Sequence, residues 1–151
     1  MLYIAPQFSV FMVNKPGVLA QVLGEFAHAK LNITAVTMMD SAEHGVMRVI
    51  FANADKARDV LARLNMPFSE TEVLCVLLDN KAGALAGVAE KLARDHINIS
   101  YAYCTAGARG GKATGVLKVA DVKKAVKVLS KHGKKTTKDS KPIRRSKSVR
   151  R

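Results

Sequence analysis

Two short loop segments of matching composition carry residue types that suit the binding of a small anion. Residues 14–17 (Asn-Lys-Pro-Gly) and 80–83 (Asn-Lys-Ala-Gly) each lie between an apolar, β-branched run and a helical pattern. Glycine lets a ligand come close to the backbone, and the start of a helix offers unpaired N–H groups at the positive end of the helix dipole. Such a loop is suited to a carboxylate.

A second asparagine follows each predicted helix, Asn32 in the first segment and Asn98 in the second. Its carboxamide both donates and accepts hydrogen bonds, so helix N–H groups and asparagine amides together match the α-carboxylate and α-ammonium groups of an amino acid. The same residues also have a purely structural interpretation, since Asn-x-x-Gly is a good turn and asparagine after a helix is a good C-cap. Spacing alone leaves both interpretations open.

The two loops belong to an internal repeat with a shift of 66 residues. Between Asn14 and Ile33, nine of twenty residues recur identically at that shift. Residues 55–61 also resemble residues 121–129 once two residues are inserted. Self-similarity of this length indicates two copies of one supersecondary unit.

Each copy has the pattern of a β-α-β-β-α unit. Apolar and β-branched runs predict strands at residues 8–13, 33–39 and 45–51 of the first copy and 73–78, 99–105 and 113–119 of the second. Helical spacing predicts that the first helices bury Val18, Leu19, Val22, Leu23 and Phe26, or Leu85, Val88, Ala89 and Leu92. The second helices would bury Ala57, Val60, Leu61 and Leu64, or Val122, Ala125, Val126 and Leu129.

This order predicts an α+β fold of two tandem ferredoxin-like βαββαβ units, in which each antiparallel sheet has its two helices on one face. Residues 68–78 are long enough to close the first unit and open the second. We place unit 1 at residues 7–69 and unit 2 at 70–131, and we predict a basic, disordered tail at 132–151. Unit 2 lacks an apolar closing strand, and the lysine-rich residues 134–138 are the candidate for a weak edge strand.

The loop and asparagine motifs, followed by two strands and a helix, resemble the ACT domain, and the chain resembles the stand-alone tandem ACT proteins over roughly residues 7–131. The resemblance implies regulatory modules that bind amino acids or similar small ligands where two ACT units pack side by side. The sites would lie between the strand 1–helix 1 loop of one unit and strand 2 of its neighbour. It also implies a homodimer, because ACT units commonly complete their sites by pairing sheets.

Carried over by position, the resemblance implies three kinds of ligand contact in each unit. The loop contacts would be Asn14, Pro16 and Gly17, and Asn80, Ala82 and Gly83. The contacts at the start of strand 2 would be Asn32 and Ile33, and Asn98 and Ile99. The apolar side would be lined by Val18 and Leu19, and by Ala84 and Leu85. The family's frequent proline is replaced by Ala82, and the segment after Leu129 is polar, so we expect a less rigid second loop and two unequal sites.

An enzyme needs a nucleophile, a base or a metal cluster, and the sequence offers none, so we predict a protein without catalytic activity, cofactor or metal. The histidines, at positions 28, 44, 96 and 132, lack the spacing of a metal motif. Asp40, Glu43 and His44 would fit a weak metal site or a solvated turn, and turn composition favours the solvated turn.

Cys75 and Cys104 lie in apolar strands without CxxC spacing, which predicts core thiols. Residues 107–111 are glycine-rich but lack the Walker lysine, which favours a hairpin turn.

The net charge of +13 is confined to the last third of the chain. Residues 1–108 carry a net charge of −1, residues 109–130 carry +5 and residues 131–151 carry +9. Because the tail could hold phosphates non-specifically, association with nucleic acid is the alternative function. An RNA-recognition sheet would need aromatic residues on its central strands, and of the tyrosines only Tyr101 and Tyr103 share a predicted strand.

The compartment and the partners follow from composition and from the resemblance together. No apolar run approaches the roughly 18 residues of a membrane span, and residues 1–7 lack the features of a signal peptide. Two cysteines cannot form a disulfide framework, which favours a reducing compartment. We therefore expect a cytoplasmic regulatory protein that binds an amino acid and passes the ligand state to a protein partner.

Overall fold

The elements alternate in the order expected of two βαββα repeats. The computed structural model describes residues 1–39, 44–105 and 111–132, which form six strands and four helices. The strands are β1 Leu2–Val13, β2 Ile33–Met39, β3 His44–Phe51, β4 Phe68–Asp79, β5 Ile99–Thr105 and β6 Lys112–Val119. The helices are α1 Val18–His28, α2 Ala54–Arg63, α3 Ala84–Arg94 and α4 Val122–His132. The predicted strands and helices are confirmed, and β1 begins six residues earlier than its apolar run suggested.

One antiparallel sheet joins the two repeats. Its strand order is β2-β3-β1-β4-β6-β5, so the long strands β1 and β4 lie side by side at the centre. Residues 8–13 of β1 pair with β3, and residues 2–10 pair with β4. In the same way residues 68–76 of β4 pair with β1, and residues 74–79 pair with β6. Each central strand therefore serves both repeats, and the predicted boundary between residues 69 and 70 falls within β4.

The β1–β4 pair carries a pseudo-two-fold relation that matches the sequence repeat. Phe8 and Leu74 are equivalent in the repeat, and so are Ile4 and Glu70. Accordingly, Phe8 pairs with Glu70 and Leu74 pairs with Ile4. Beyond the paired region, the Phe11 amide donates to the Pro67 carbonyl at 2.9 Å, and the Leu77 amide donates to the Met1 carbonyl at 2.9 Å. The pseudo-two-fold axis passes between the paired residues Pro6 and Glu72.

The position that closes the second repeat is filled by the beginning of the chain. Residues 2–6 of β1 pair with residues 72–76 of β4, on the side of β4 away from β6. The candidate closing strand, Lys134–Lys138, lies outside the described residues. The sequence pattern predicts a closing strand after α4, whereas the apolar residues 2–5 supply one from the other end of the chain.

Both helix pairs pack on the same face of the sheet. The even-numbered residues Phe8, Val10 and Met12 of β1 join a core with Val22, Phe26 and Leu61. Four phenylalanines meet there in tilted or edge-on pairs, with ring centroids 5.0–5.9 Å apart: Phe8, Phe26, Phe51 and Phe68. The even-numbered residues Leu74 and Leu78 of β4 join a second core with Val88, Leu92 and Val128. Leu2 of β1 packs against this second core, so the helices of both repeats lie on one side.

A third core lies on the opposite face of the sheet, where β1 and β4 contribute odd-numbered residues and no described helix packs. Ala5, Val73, Cys75 and Val116 are buried there although they face away from the helices. Six flat strands would separate β2 from β5 by about 24 Å. Instead, Cα atoms of the two edge strands approach within 8 Å, so the sheet is curled and encloses this core.

A polar network links the two repeats inside the curl. Gln7 is fully buried; its Nε2 donates to the Tyr101 hydroxyl at 2.6 Å, and its Oε1 accepts from the Tyr103 hydroxyl at 2.8 Å. The Arg48 guanidinium lies 3.9 Å from the centroid of the Tyr101 ring and donates to the Met39 sulfur. A buried polar group needs such partners, because an unpaired one is costly.

Three sequence expectations about burial need correction. Cys75 is a buried core thiol as predicted, but Cys104 is exposed because its side chain does not share the enclosed face of β5 with Tyr103. Helical spacing predicts that Leu19 and Leu85 are buried, yet they are 37% and 39% exposed. Each lies in the first turn of its helix, beyond the side chains that reach the sheet.

Replacing Gln7 by leucine should destabilise the fold. The change removes both cross-repeat hydrogen bonds and leaves two tyrosine hydroxyls without this partner, which we expect to lower the free energy of unfolding by about 2 kcal/mol. Ser9→Ala, two residues along the same face, is the control and should change it by less than about 0.5 kcal/mol. Urea unfolding followed by circular dichroism measures both, and equal midpoints for the two variants would contradict the role of Gln7.

Stability should fall at alkaline pH through Tyr103. Burial raises the pKa of its hydroxyl well above the ordinary value, and the nearby Tyr101 and Cys75 add to the shift. The folded chain thus keeps a proton that the unfolded chain releases near pH 10, so the contribution is intact below that pH and is lost above it. Tyr103→Phe should flatten the decline between pH 10 and 11.5 by up to about 1.4 kcal/mol per pH unit. An unchanged slope would refute this assignment.

Candidate functional site

The two repeated loops adopt the same backbone conformation. Gly17 precedes α1 with φ 85° and ψ −17°, and Gly83 precedes α3 with φ 85° and ψ −9°. In loop 1 the Lys15 amide donates to the Val13 carbonyl at 3.0 Å, and in loop 2 the Lys81 amide donates to the Asp79 carbonyl at 2.8 Å. The exchange of Pro16 for Ala82 therefore leaves the loop geometry unchanged.

The helices that follow these loops begin without a side-chain cap. Neither Gly17 nor Gly83 can supply one, and the amides of Leu19 and Leu85 have no acceptor among the described residues. The other two helices begin differently, because Asn53 accepts from the Lys56 amide at 3.0 Å and Asp121 accepts from the Lys124 amide at 2.9 Å. Uncapped amides at α1 and α3 leave an anion-binding helix start available at each loop.

Asn32 and Asn98 are not helix caps, which overturns that structural interpretation. The left-handed residues that end α1 and α3 are Lys30, with φ 53°, and His96, with φ 55°. The turns are closed by the Leu31 amide to the Phe26 carbonyl and by the Ile97 amide to the Leu92 carbonyl, each at 2.9 Å. Both asparagines are exposed, and their side chains have no hydrogen-bond partner among the described residues.

The strand register separates the asparagines from the loops. Ile33 is opposite Phe51 and Ile99 is opposite Val119, which places both isoleucines level with Pro6 at the centre of the sheet. Loop 1 begins eight residues beyond Pro6, a distance of about 26 Å along the strand. Loop 2 is equally far away at the other end. Within one chain, residues 14–19 therefore lie together at loop 1 and residues 80–85 lie together at loop 2. Neither set lies near Asn32 or Asn98.

Two cavities adjoin loop 1 instead. The larger, of about 370 Å³, is lined by Phe11, Met12, Val13, Val18, His44, Met66 and Pro67. A smaller one, of about 170 Å³, is lined by Asn14, Met38, Met39 and Gly45. Of these residues, Asn14 and Val18 belong to the predicted ligand contacts. The others have no local signal in the sequence, because strand pairing is what brings them to the loop.

Shifted pKa values occur away from both loops. Burial raises the pKa of Cys75 and Tyr3 on the enclosed face of the sheet. On the helix side, the hydrogen bond from Arg58 lowers the pKa of Glu70. Within residues 1–39, 44–105 and 111–132 no group of three histidine, cysteine, aspartate or glutamate residues could hold a metal ion. Asp40, Glu43 and the glycine-rich residues 107–110 lie outside the described residues.

The fold and the duplicated loops define a tandem βαββα protein built on one shared sheet. The chain belongs to the ACT domain pair family, whose sequence profile matches residues 3–141. No curated protein matches the sequence. No helix in the described part of the chain is long and apolar enough to cross a membrane.

Several solved structures have a similar fold. A protein from Bacteroides thetaiotaomicron is 29% identical, with a TM-score of 0.80 over 87% of this chain and 90% of its own. The ligand-free regulatory subunit of aspartate kinase from Thermus thermophilus has a TM-score of 0.61 at 11% identity, over 87% of this chain and 94% of its own. Aspartokinase III of E. coli, in complex with lysine and aspartate, has a TM-score of 0.52 at 17% identity, over 90% of this chain and 32% of its own.

The left-handed loop conformation predicts opposite effects for two glycines of the same region. Gly17→Ala should lower the free energy of unfolding by about 1–3 kcal/mol, because φ 85° strains a residue with a side chain although nothing lies within 4 Å of the added methyl. Gly24→Ala, inside α1 and also in open space, should raise it by about 1 kcal/mol. Thermal unfolding of both variants checks the pair. Stabilisation by both changes would show that Gly17 does not hold the left-handed conformation.

Proposed function

We propose that this chain is a non-catalytic regulatory protein that binds an amino acid, or a similar small ligand, at its repeated loops. The observation that carries the proposal is the contrast between helix starts. The helices after the repeated loops, α1 and α3, begin with glycine and uncapped amides, whereas α2 and α4 are closed by Asn53 and Asp121. An α-carboxylate at either open helix start would meet backbone donors and the positive end of the helix dipole.

A second copy of the chain would supply the remaining contacts. In one chain Asn32 and Asn98 are far from the loops, yet they are exposed. Their strands β2 and β5 approach each other in the curled sheet but are not paired, so both remain edge strands of the described sheet. Residues 33–39 and 99–105 contain no charged side chain that would discourage edge pairing. We propose a homodimer in which an edge strand of one chain approaches a loop of the other.

A role without catalysis is supported by the comparisons and by the site. The Thermus thermophilus protein is a regulatory subunit, and it matches this chain over 94% of its own length. The residues that line the two cavities beside loop 1 are apolar except for Asn14, His44 and Gly45, so they can hold a ligand but offer no nucleophile paired with a base. We propose that ligand binding is passed to a protein partner in the cytoplasm.

Association with nucleic acid is the second candidate function. One observation favours it: α4 carries the lysines 123, 124, 127 and 131 and no acidic residue, and the strongly basic residues 133–151 follow directly. Heparin or DNA retention of the full chain should decrease steeply with salt if phosphate contacts dominate. Retention that is lost on truncation after His132 would assign it to the residues beyond α4, and retention that persists would assign it to the folded part.

A thermal-shift screen against the twenty amino acids tests the main proposal. A ligand at one hundred times its Kd adds about 2.7 kcal/mol to the stability of the folded state, so the midpoint of the true ligand should rise clearly. Gly17→Val and Gly83→Val, assayed separately, show which loop is responsible. The mass of the assembly, measured by light scattering with and without ligand, reports the proposed homodimer. If no amino acid moves the midpoint at millimolar concentration, the proposal fails.

A further inference from the structure

The two loops are alike in backbone but differ in what surrounds them. The cavity of about 370 Å³ beside loop 1 lies where β1 continues beyond the start of β4, under the first residue of α1. The residues that line it are mainly apolar and include Phe11, Val13, Val18, Met66 and Pro67. A volume of this size is within the range of small-molecule sites.

Exposed apolar residues cluster at this end of the molecule. Phe11, Val13 and Leu19 are 42%, 47% and 37% exposed, and Met38 and Met39 at the end of β2 are similarly open. Val13 pairs with His44, and Met39 pairs with Val46, so these residues lie at one end of neighbouring strands. Contiguous apolar surface of this kind marks a binding site more often than isolated exposed residues do.

Several positions at loop 2 differ from loop 1 in charge or size, although Phe11 and Leu19 correspond to Leu77 and Leu85. The repeat places Asp79 where loop 1 has Val13, and the register places Lys112 opposite Asp79 where His44 is opposite Val13. The Lys81 ammonium lies 3.6 Å from the Asp79 carboxylate, beside the loop. Met38 and Met39 correspond to Cys104 and Thr105. An apolar side chain entering there would meet the Asp79–Lys81 ion pair at the position where loop 1 has Val13.

We infer that loop 1 binds an amino acid with an aliphatic or thioether side chain, which enters the apolar cavity, and that loop 2 does not bind it. The inference rests on the proposed function, since the loop must first hold the α-carboxylate and α-ammonium groups. Each methylene that leaves water on entering the cavity strengthens binding about fourfold. Leucine, with three more carbons than alanine, should therefore bind about sixtyfold more tightly than alanine.

Isothermal titration of the full chain with leucine, methionine, alanine, lysine and aspartate tests the inference. We expect leucine or methionine to bind with a stoichiometry of one per chain, alanine about sixtyfold more weakly, and lysine and aspartate at least as weakly as alanine. Two leucine molecules per chain would overturn the inference, because both loops would then accept an apolar ligand.

A matched pair of variants assigns the site. Val13→Asp gives loop 1 the residue that loop 2 has, and because Val13 is 47% exposed the fold should be retained, which circular dichroism verifies. Leucine affinity should fall at least tenfold. Asp79→Asn, the control at the equivalent position, should leave leucine affinity unchanged. An equal loss in both variants, or none in Val13→Asp, would remove the cavity as the site.

The outcomes separate this inference from the proposed function. Binding of lysine, aspartate or another polar amino acid without binding of leucine or methionine overturns the inference and leaves the amino-acid role intact. Binding of none of the twenty amino acids overturns the proposed function and, with it, the inference.

Discussion

The pairing of β1 with β4 is the constraint on which the rest of the structure depends. Nine residues of each strand are in register, from Leu2↔Val76 to Val10↔Phe68, and this region joins both repeats. Neither repeat would have a complete four-stranded sheet alone, since each borrows part of the other's first strand. Because backbone groups at an exposed strand edge need partners, the shared pair commits the two repeats to a single folding unit.

The same pairing determines where the loops lie. Residues 2–10 of β1 pair antiparallel with residues 68–76 of β4, so the two strands run in opposite directions. Loop 1, after β1, and loop 2, after β4, therefore lie at opposite ends of the sheet. The starts of β2 and β5 are held level with the centre, at the two outer edges. Within one chain, a repeated loop and the start of β2 or β5 therefore lie too far apart to form one site. The proposed function accordingly includes a second copy of the chain.

The enclosed face of the sheet distinguishes the two repeats most clearly. Repeat 1 contributes Arg48 and Gln7, and repeat 2 contributes Tyr101 and Tyr103, so the hydrogen bonds and the cation–π contact run between repeats rather than within them. The positions of Tyr101 and Tyr103 are occupied in repeat 1 by Ala35 and Thr37. Duplication thus supplied two copies of one backbone, and side-chain differences made their contacts complementary.

The sequence by itself determined the repeat, the order of the elements and the loops. Hydrophobic periodicity and the glycine positions are local, so Gly17 and Gly83 were found, and so were strands such as Ile33–Met39 with their bounds. Which strand closes the second repeat, the exposure of Cys104 and Leu19, and the cavity made by Phe11, Val13 and Met66 were decided only by tertiary structure. Each depends on pairing between residues far apart in the chain, and the sequence on either side of a residue does not indicate that pairing.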